Sequence, residues 1–186
     1  MIGYAFCGSF CTLSASLFQM ERLILAGYDI QPIMSETVYS TDTRFFLAKD
    51  FVKKVEELSC KSVIHTIEDA EPFGAIQPLE YLIISPCTGN TLAKIANGIT
   101  DTAVTMAAKA HLRCDRPILI ALASNDAMSQ NLANIAKLLL RKSVYFLPLS
   151  QDSPNGKPHS LVADFSKLDE AFCAMKESKQ LRPLFL

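Results

Sequence analysis

Three short polar stretches of the sequence could bind an anion, because each places small hydroxyl or amide side chains at the start of a helix-like pattern. They are CGSF at 7–10, SPCTGNT at 85–91 and SND at 124–126. The N–H groups at a helix start lack intrahelical acceptors and the helix dipole is positive there, so an anionic group is favoured. Alone, each stretch is better explained by a helix cap at Ser9, Thr88 or Asn125. Together, the three favour a cofactor that carries phosphate.

Cys87, in the second of these stretches, allows a different chemistry. A thiol at a helix start has a lowered pKa and could act as a thiolate nucleophile. No histidine lies near Cys87 in the sequence to activate it. Packing against a bound cofactor is therefore the favoured role, while Cys87 and Asn125 remain the candidate catalytic residues.

The pattern of glycines limits which cofactor could bind. The first stretch holds the single glycine Gly8 and not G-x-G-x-x-G, so the close approach of a dinucleotide pyrophosphate is not indicated. Glu36 lies where a ribose-binding acid could follow the second predicted strand, but this signal is weak without the glycines. No P-loop lysine follows a G-x-x-x-x-G, which argues against nucleoside triphosphates. A mononucleotide with one phosphate fits best.

Apolar runs that alternate with helical patterns place the three stretches in a sheet. The predicted strands are 2–8, 29–35, 62–67, 81–85, 117–123 and 143–149, and the predicted helices are 13–24, 45–58, 88–97, 101–113, 127–141 and 167–179. This alternation is typical of an α/β fold with a doubly wound parallel sheet, a Rossmann-like three-layer αβα arrangement. Ligands of such sheets bind outside the carboxyl ends of the strands, where all three stretches lie.

The composition favours a single domain, 1–186, with a polar loop at 151–160 before the last helix. The chain has 186 residues, 49% of them hydrophobic, and a net charge of -1, which does not indicate binding to nucleic acid or anionic lipid. No apolar run is long enough for a membrane span and no signal peptide is evident, so we expect a cytoplasmic protein. The six cysteines include no C-x-x-C pair, and His65, His111 and His159 lie far apart, so no metal site is expected.

One long motif resembles a known family. The stretch 86–101, PCTGNTLAKIANGITD, is similar to the Pro-Ala-Ser/Thr-x-Asn-Thr-x-x-Lys-x-Ala-x-Gly-x-x-Asp signature of the flavoproteins that include phosphopantothenoylcysteine decarboxylase and the lantibiotic cysteine decarboxylases. Gly8-Ser9 matches the opening Gly-Ser of that family. The resemblance implies FMN, held in a homo-oligomer that is a trimer or a multiple of one. The residues that it implies for FMN binding are Gly8, Ser9, Phe10, Ser35, Pro86, Thr88, Asn90 and Ser124.

The sequence differs from the decarboxylases at two of their motifs. Their histidine before the signature proline has no counterpart in 71–80, EPFGAIQPLE, and their Pro-x-Met-Asn motif is Ala123-Ser124-Asn125-Asp126 here. The stretches 86–113, 116–139 and 151–165 instead resemble flavoprotein subunits that oxidise a cyclic dicarboxylate together with a dehydrogenase-like partner. Such a substrate needs cations, for which Arg44, Lys157 and His159 are candidates. A non-catalytic subunit that binds substrate or assembles the partner, and a flavin-dependent decarboxylase or lyase, remain alternatives.

Overall fold

The computed structural model describes all residues of the chain, 1–186. Seven strands form one sheet: β1 (Ile2–Phe6), β2 (Ile30–Met34), β3 (Tyr81–Thr88), β4 (Ile118–Ser124), β5 (Val144–Phe146), β6 (Leu149–Ser150) and β7 (Leu161–Ala163). Their order is β2-β1-β3-β4-β7-β6, and β5 pairs with β4 beside β7. Helices flank this sheet, so the predicted three-layer Rossmann-like class is confirmed.

Eight α-helices connect or follow the strands. They are α1 (Leu13–Leu25), α2 (Glu36–Ser40), α3 (Ala48–Ser59), α4 (Ile67–Ala70), α5 (Gly89–Asn97), α6 (Ala103–Leu112), α7 (Leu132–Leu139) and α8 (Leu168–Lys176). None of them has the length and apolar character that a membrane span would need.

The parallel centre of the sheet is buried on both faces. Every residue of β1 and β4 is buried, as expected for strands that helices cover on both sides. Strand β1 lies between β2 and β3 and is parallel to both, with Ile2 opposite Ile30 on one side and Tyr81 on the other. The chain therefore reverses its winding direction at β1. The turns after β1 and β3 lie next to each other at this switch point, where α/β sheets bind ligands.

The far side of the sheet is mixed, which corrects the prediction of a wholly parallel sheet. β7 pairs antiparallel with the end of β4, with Leu161 opposite Ser124, and β6 pairs antiparallel with β7. The predicted strand 143–149 is in fact two strands, β5 and β6. The polar loop 151–160 thus connects β6 to β7 and returns to the carboxyl end of β4.

Two other predicted elements were wrong in type or extent. The predicted strand 62–67 makes only an isolated bridge, between Ile64 and Ile33, because the chain turns at Thr66 to begin α4. The hydroxyl of Thr66 accepts a hydrogen bond from the N–H of Asp69 and caps that helix. The predicted helix 127–141 is shorter, since a turn precedes α7 at Leu132.

Candidate functional site

A cleft of about 480 Å³ lies at the carboxyl edge of the sheet. It is formed by the turns after β1, β3 and β4, by the segment at Arg44 and Phe45, and by the 151–160 loop. Most of the predicted binding residues line it: Gly8, Ser9, Phe10, Arg44, Thr88, Asn90, Ser124, Asn125 and Lys157. Ser35, Pro86, Cys87 and His159 do not line it. The fold thus brings all three polar stretches into one cleft.

The turn after β1 presents unpaired backbone groups to the cleft. The N–H of Gly8 has no backbone acceptor, and the N–H groups that open the following 3-10 turn (Phe10–Thr12) lack intrahelical acceptors. The hydroxyl of Thr12 donates to the carbonyl oxygen of Ser9 at 2.9 Å and holds the turn closed. This turn can therefore offer N–H groups to an anion without losing any bond of its own.

Ser35 lies beside this turn, at the end of β2. Its N–H donates to the carbonyl of Phe6 at 3.0 Å, which ties the two strand ends together. A Cβ on Gly8 would lie 3.2 Å from Cγ2 of Thr37, so the two turns are in contact. The hydroxyl oxygen of Ser35 is buried and has no hydrogen-bond partner. Such an unpaired group costs free energy in the folded protein. We call Gly8 and Ser9, which line the cleft, together with Ser35, which is buried beside their turn, the β1–β2 side of the cleft.

The turn after β3 is a capped helix start. The hydroxyl of Thr88 accepts a hydrogen bond from the N–H of Thr91 at 3.2 Å and caps α5. Pro86 is buried, and its carbonyl accepts the N–H of Cys7 at 3.1 Å. Pro86 therefore fixes the β3 turn against β1 and does not itself face the cleft.

The turn after β4 carries a compact polar cluster around Asp126. One oxygen of this carboxylate, Oδ1, accepts hydrogen bonds from the hydroxyl of Ser124 and from the side-chain amide of Asn131, the latter at 2.9 Å. The hydrogen bond from Ser124 lowers the pKa of the Asp126 carboxyl below its ordinary value. The group is therefore ionised at neutral pH.

Gly89, the first residue of α5, leaves room for this cluster. A Cβ at Gly89 would collide with the hydroxyl of Ser124, and it would lie 2.6 Å from the amide of Asn131 and 2.9 Å from Oδ1 of Asp126. The carboxylate thus already lies against the start of α5. We call Gly89, Ser124, Asp126 and Asn131 the β3–β4 side of the cleft.

Two cations line the cleft, and they differ in their partners. The guanidinium of Arg44 lies over the ring of Phe45, at 4.8 Å from the ring centroid, and makes no ion pair. The ammonium of Lys157 is bonded to the carboxylate of Asp152 at 2.9 Å. The 151–160 segment therefore carries its own counter-ion. The cleft contains two cations and the two carboxylates of Asp126 and Asp152, so its charges balance.

His159 is placed away from the cleft. Its carbonyl oxygen accepts the N–H of Met128 at 2.9 Å, which anchors the 151–160 loop beside the β4 turn, while its side chain is exposed to solvent. The prediction that His159 faces a substrate in the cleft is therefore not supported by its position. Asp152, which no sequence motif marks, lies in the cleft instead.

Cys87 is unsuited to nucleophilic chemistry. Its side chain is fully buried, and burial raises the pKa of the thiol well above its usual value. Cys7 beside it is also buried, and its thiol pKa is raised to about 11. Cys11, which lies outside the family motifs, is the cysteine that lines the cleft. No group of metal-ligating side chains lies close enough to bind a metal ion.

The two other histidines have structural surroundings. His111 is fully buried on α6, where its Nε2 lies 2.9 Å from the carbonyl oxygen of Pro117. Its Nδ1 has no partner, and burial lowers the pKa of the imidazole to about 4. The His65 ring stacks on Tyr39, with the ring centroids 3.7 Å apart. Neither residue lines the cleft.

Known proteins resemble this chain over its whole length. The sequence profile of the family described as Flavoprotein matches residues 2–182. The chain is 38% identical over 185 residues to the B subunit of dipicolinate synthase of Bacillus subtilis (strain 168), covering 100% of this chain and 92% of the relative. The crystal structure of the dipicolinate synthase B subunit from Bacillus halodurans superposes with a TM-score of 0.91 at 38% identity, over 100% of this chain and 95% of that one. The FMN-dependent cysteine decarboxylase SpaF shares the fold, with a TM-score of 0.66 at 20% identity over 95% of each chain.

Proposed function

Because the chain belongs to the flavoprotein family, we propose that its cleft binds FMN, with the phosphate on the β1–β2 side. The observation that carries this proposal is the buried hydroxyl of Ser35, which has no partner and lies beside the turn with the free N–H of Gly8. A phosphate at Gly8 and Ser9 would give the N–H of Gly8 an acceptor and would bring an acceptor to the turn beside the hydroxyl of Ser35. When bound, FMN would supply a two-electron acceptor.

The β3–β4 side does not suit a phosphate, because the carboxylate of Asp126 already lies against the start of α5. An added phosphate there would be repelled by this like charge. Thr88 and Asn90, which line the same cleft, are then left for the uncharged parts of the cofactor, whereas the family resemblance implies that they lie around both the phosphate and the ring edge. This narrows the expectation from the sequence, which included the turn after β3 in the phosphate site.

For the reaction, we propose that the chain is the B subunit of a dipicolinate synthase and acts during sporulation. Together with the A subunit of that enzyme, it would oxidise a dihydro- or tetrahydrodipicolinate precursor to dipicolinate. The full-length identity of 38% to a protein of that name supports the assignment. Within the cleft, the guanidinium of Arg44 is free to bind a substrate carboxylate. Lys157 could bind a second carboxylate by sharing its ammonium with Asp152.

We also propose that the chain forms a homo-oligomer, a trimer or a multiple of one, in the cytoplasm. Several large apolar side chains are exposed, among them Leu140 at 87% and Leu25 at 81%, which is consistent with surface that further chains cover. Light scattering tests the assembly. A monomer at micromolar concentration would contradict this part of the proposal.

The cofactor is tested by titrating flavin-stripped protein with FMN and following the quenching of flavin fluorescence. No binding up to roughly 1 mM, which corresponds to about 4 kcal/mol, would end the FMN proposal. Turnover is tested by adding the dehydrogenase-like partner and following dipicolinate formation. FMN binding without any dependence of turnover on FMN would favour the non-catalytic role in assembly.

A further inference from the structure

A groove on the helical face that contains α5 and α6 is lined by cations and apolar side chains. It lies between the end of α5, the second half of α6 and the residues after α7, and its volume is about 160 Å³. No carboxylate lines it. Its apolar and cationic lining residues, which we call the basic groove, are Ile95, Ile99, Leu112, Lys109, Arg113 and Arg141.

The cations of the basic groove have few partners within the chain. Lys109 and Arg141 make no ion pair, and the guanidinium of Arg113 lies 3.7 Å from the carboxylate of Glu71. Leu140, which precedes Arg141, is 87% exposed. Lys109 lies in the last turn of α6 and complements the helix dipole, but this role does not explain the exposed leucine. Exposed apolar surface beside unpaired cations is typical of a surface that a negatively charged partner covers.

A hollow at the other end of α6 has the opposite charge. It lies between α2, α4 and the start of α6, has a volume of about 470 Å³, and is lined by no lysine or arginine. The carboxylates of Glu36 and Glu68 make no ion pair within the chain. That of Asp101 is bonded to the ammonium of Lys94 at 2.8 Å. The lining residues that we call the acidic hollow are Glu36, Glu68, Asp101, Tyr39, His65 and Ile67.

The two surfaces cannot neutralise each other within one chain. The acidic hollow includes the residues just before α6 and its first residue, Ala103, whereas the basic groove includes Lys109 and Leu112 near its end. Because α6 is a rigid helix, it keeps the two surfaces apart. Two unpaired cations and two unpaired carboxylates are therefore left for another chain, and their numbers match.

From this complementarity we propose that the basic groove of one chain docks on the acidic hollow of a second copy of the same chain. The inference rests on the homo-oligomer of the proposed function and names the surfaces that form it. The contact pairs Lys109 and Arg141 with Glu36 and Glu68, and the apolar lining residues of both surfaces pack between these charges. Since the groove and the hollow are different patches, each chain can contact two neighbours, as a closed ring such as a trimer requires.

Charge reversal tests this contact. One double variant reverses the groove, Lys109→Glu with Arg141→Glu, and another reverses the hollow, Glu36→Lys with Glu68→Lys. Light scattering at micromolar concentration should show that each double variant dissociates, with an association constant lowered about a hundredfold or more, because like charges that face each other across an interface are strongly unfavourable. The fourfold variant, in which the charges are exchanged, should assemble again.

A matched control reverses two charges elsewhere. Lys167→Glu with Lys179→Glu changes the net charge as the groove variant does, but these lysines line neither surface, and the mass should stay that of the wild type. Melting temperatures show whether each variant is folded. If the fourfold variant does not fold, the single reversals Arg141→Glu and Glu68→Lys and their combination make the same comparison.

The outcomes separate this inference from the proposed function. If both double variants keep the wild-type mass, or if the exchanged variant stays dissociated, the inference is overturned while the homo-oligomer stands. Variants that keep the mass but no longer bind the dehydrogenase-like partner would assign the surfaces to that partner and also overturn it. If the wild-type protein is a monomer, the homo-oligomer and this inference fail together, and the FMN proposal is unaffected.

Discussion

On the β1–β2 side of the cleft, the hydroxyl of Ser35 and the N–H of Gly8 lack hydrogen-bond partners. On the β3–β4 side, Ser124 and Asn131 are both bonded to Asp126, whose carboxylate lies against the start of α5. Both sides are strand-to-helix turns with glycine and hydroxyl residues, so their sequences look alike. The first side offers unpaired donors to an anion, while the second already contains an anion, the carboxylate of Asp126. Similar turns can therefore have opposite preferences for charge.

The largest effect is expected from Gly89→Ala. Its Cβ would meet three polar atoms closer than 3 Å, so the cluster around Asp126 must shift. Thermal or denaturant unfolding should show a loss of stability of about 1–3 kcal/mol, as for overpacked sites. The matched control is Gly8→Ala, whose Cβ has its closest contact with the end of the Thr37 side chain, at 3.2 Å, and should cost little stability. If the two variants lose the same unfolding free energy, the two sides of the cleft do not differ in packing at their glycines.

Acid titration tests whether the loss of stability at low pH comes from His111 or from the Asp126 cluster. His111, on α6, has its pKa lowered by burial from 6.5 to about 4, so the unfolded chain binds a proton that the folded protein does not. Stability should be intact above pH 6.5, fall by about 1.4 kcal/mol per pH unit below it, and level off near pH 4.

The variants assign this loss of stability to a residue. Urea unfolding across this pH range should show the same loss in Asp126→Asn, because the pKa of that carboxyl is lowered and it stays ionised. His111→Gln should abolish the loss. A loss that depended on Asp126 instead would show that its carboxylate does not stay ionised in the folded protein over this pH range.

Ser35→Ala should affect binding and stability with opposite signs. Removing a buried hydroxyl that has no partner should leave the free energy of unfolding unchanged or raise it. FMN affinity, measured by fluorescence quenching, should fall about tenfold, the loss of one hydrogen bond to a charged group. Ser59→Ala is the control, because that hydroxyl donates to the carbonyl of Val55 at 2.9 Å, away from the cleft. Unchanged FMN affinity in Ser35→Ala would remove Ser35 from the phosphate site.

The smallest effect is expected from Lys157→Ala in the 151–160 loop. Lys157 is exposed and bonded to Asp152, so its removal should leave the melting temperature nearly unchanged. The apparent KM for substrate, measured with the dehydrogenase-like partner present, should rise severalfold. If the kinetics are unchanged, the loop has a structural role only. A lost interaction with that partner at unchanged FMN binding would assign the loop to assembly.

The sequence predicted the parts of the site that depend on local pattern. Each polar stretch follows an apolar run, and this pattern alone places Gly8, Thr88 and Ser124 at the same edge of the sheet. The cap at Thr88 follows from the hydroxyl before the helix. These features involve only neighbouring residues, so they could be predicted.

Contacts between distant residues could not be predicted in this way. The role of Asp126 depends on Gly89, which has no side chain to block it, and on Asn131 across a turn. Strand β7 is three residues long and pairs antiparallel with β4, so its apolar run is too short to identify its partner. The segment 62–67 is apolar enough for a strand, but Thr66 ends it by capping α4.

The central claim, that the β1–β2 side binds the phosphate of a flavin, is tested most directly by comparing FMN with riboflavin. Riboflavin has the same ring system and no phosphate. Titration of the flavin-stripped protein should show FMN binding at least about tenfold more tightly than riboflavin, since charge-assisted hydrogen bonds contribute this much or more. Equal affinity for the two flavins would contradict the claim.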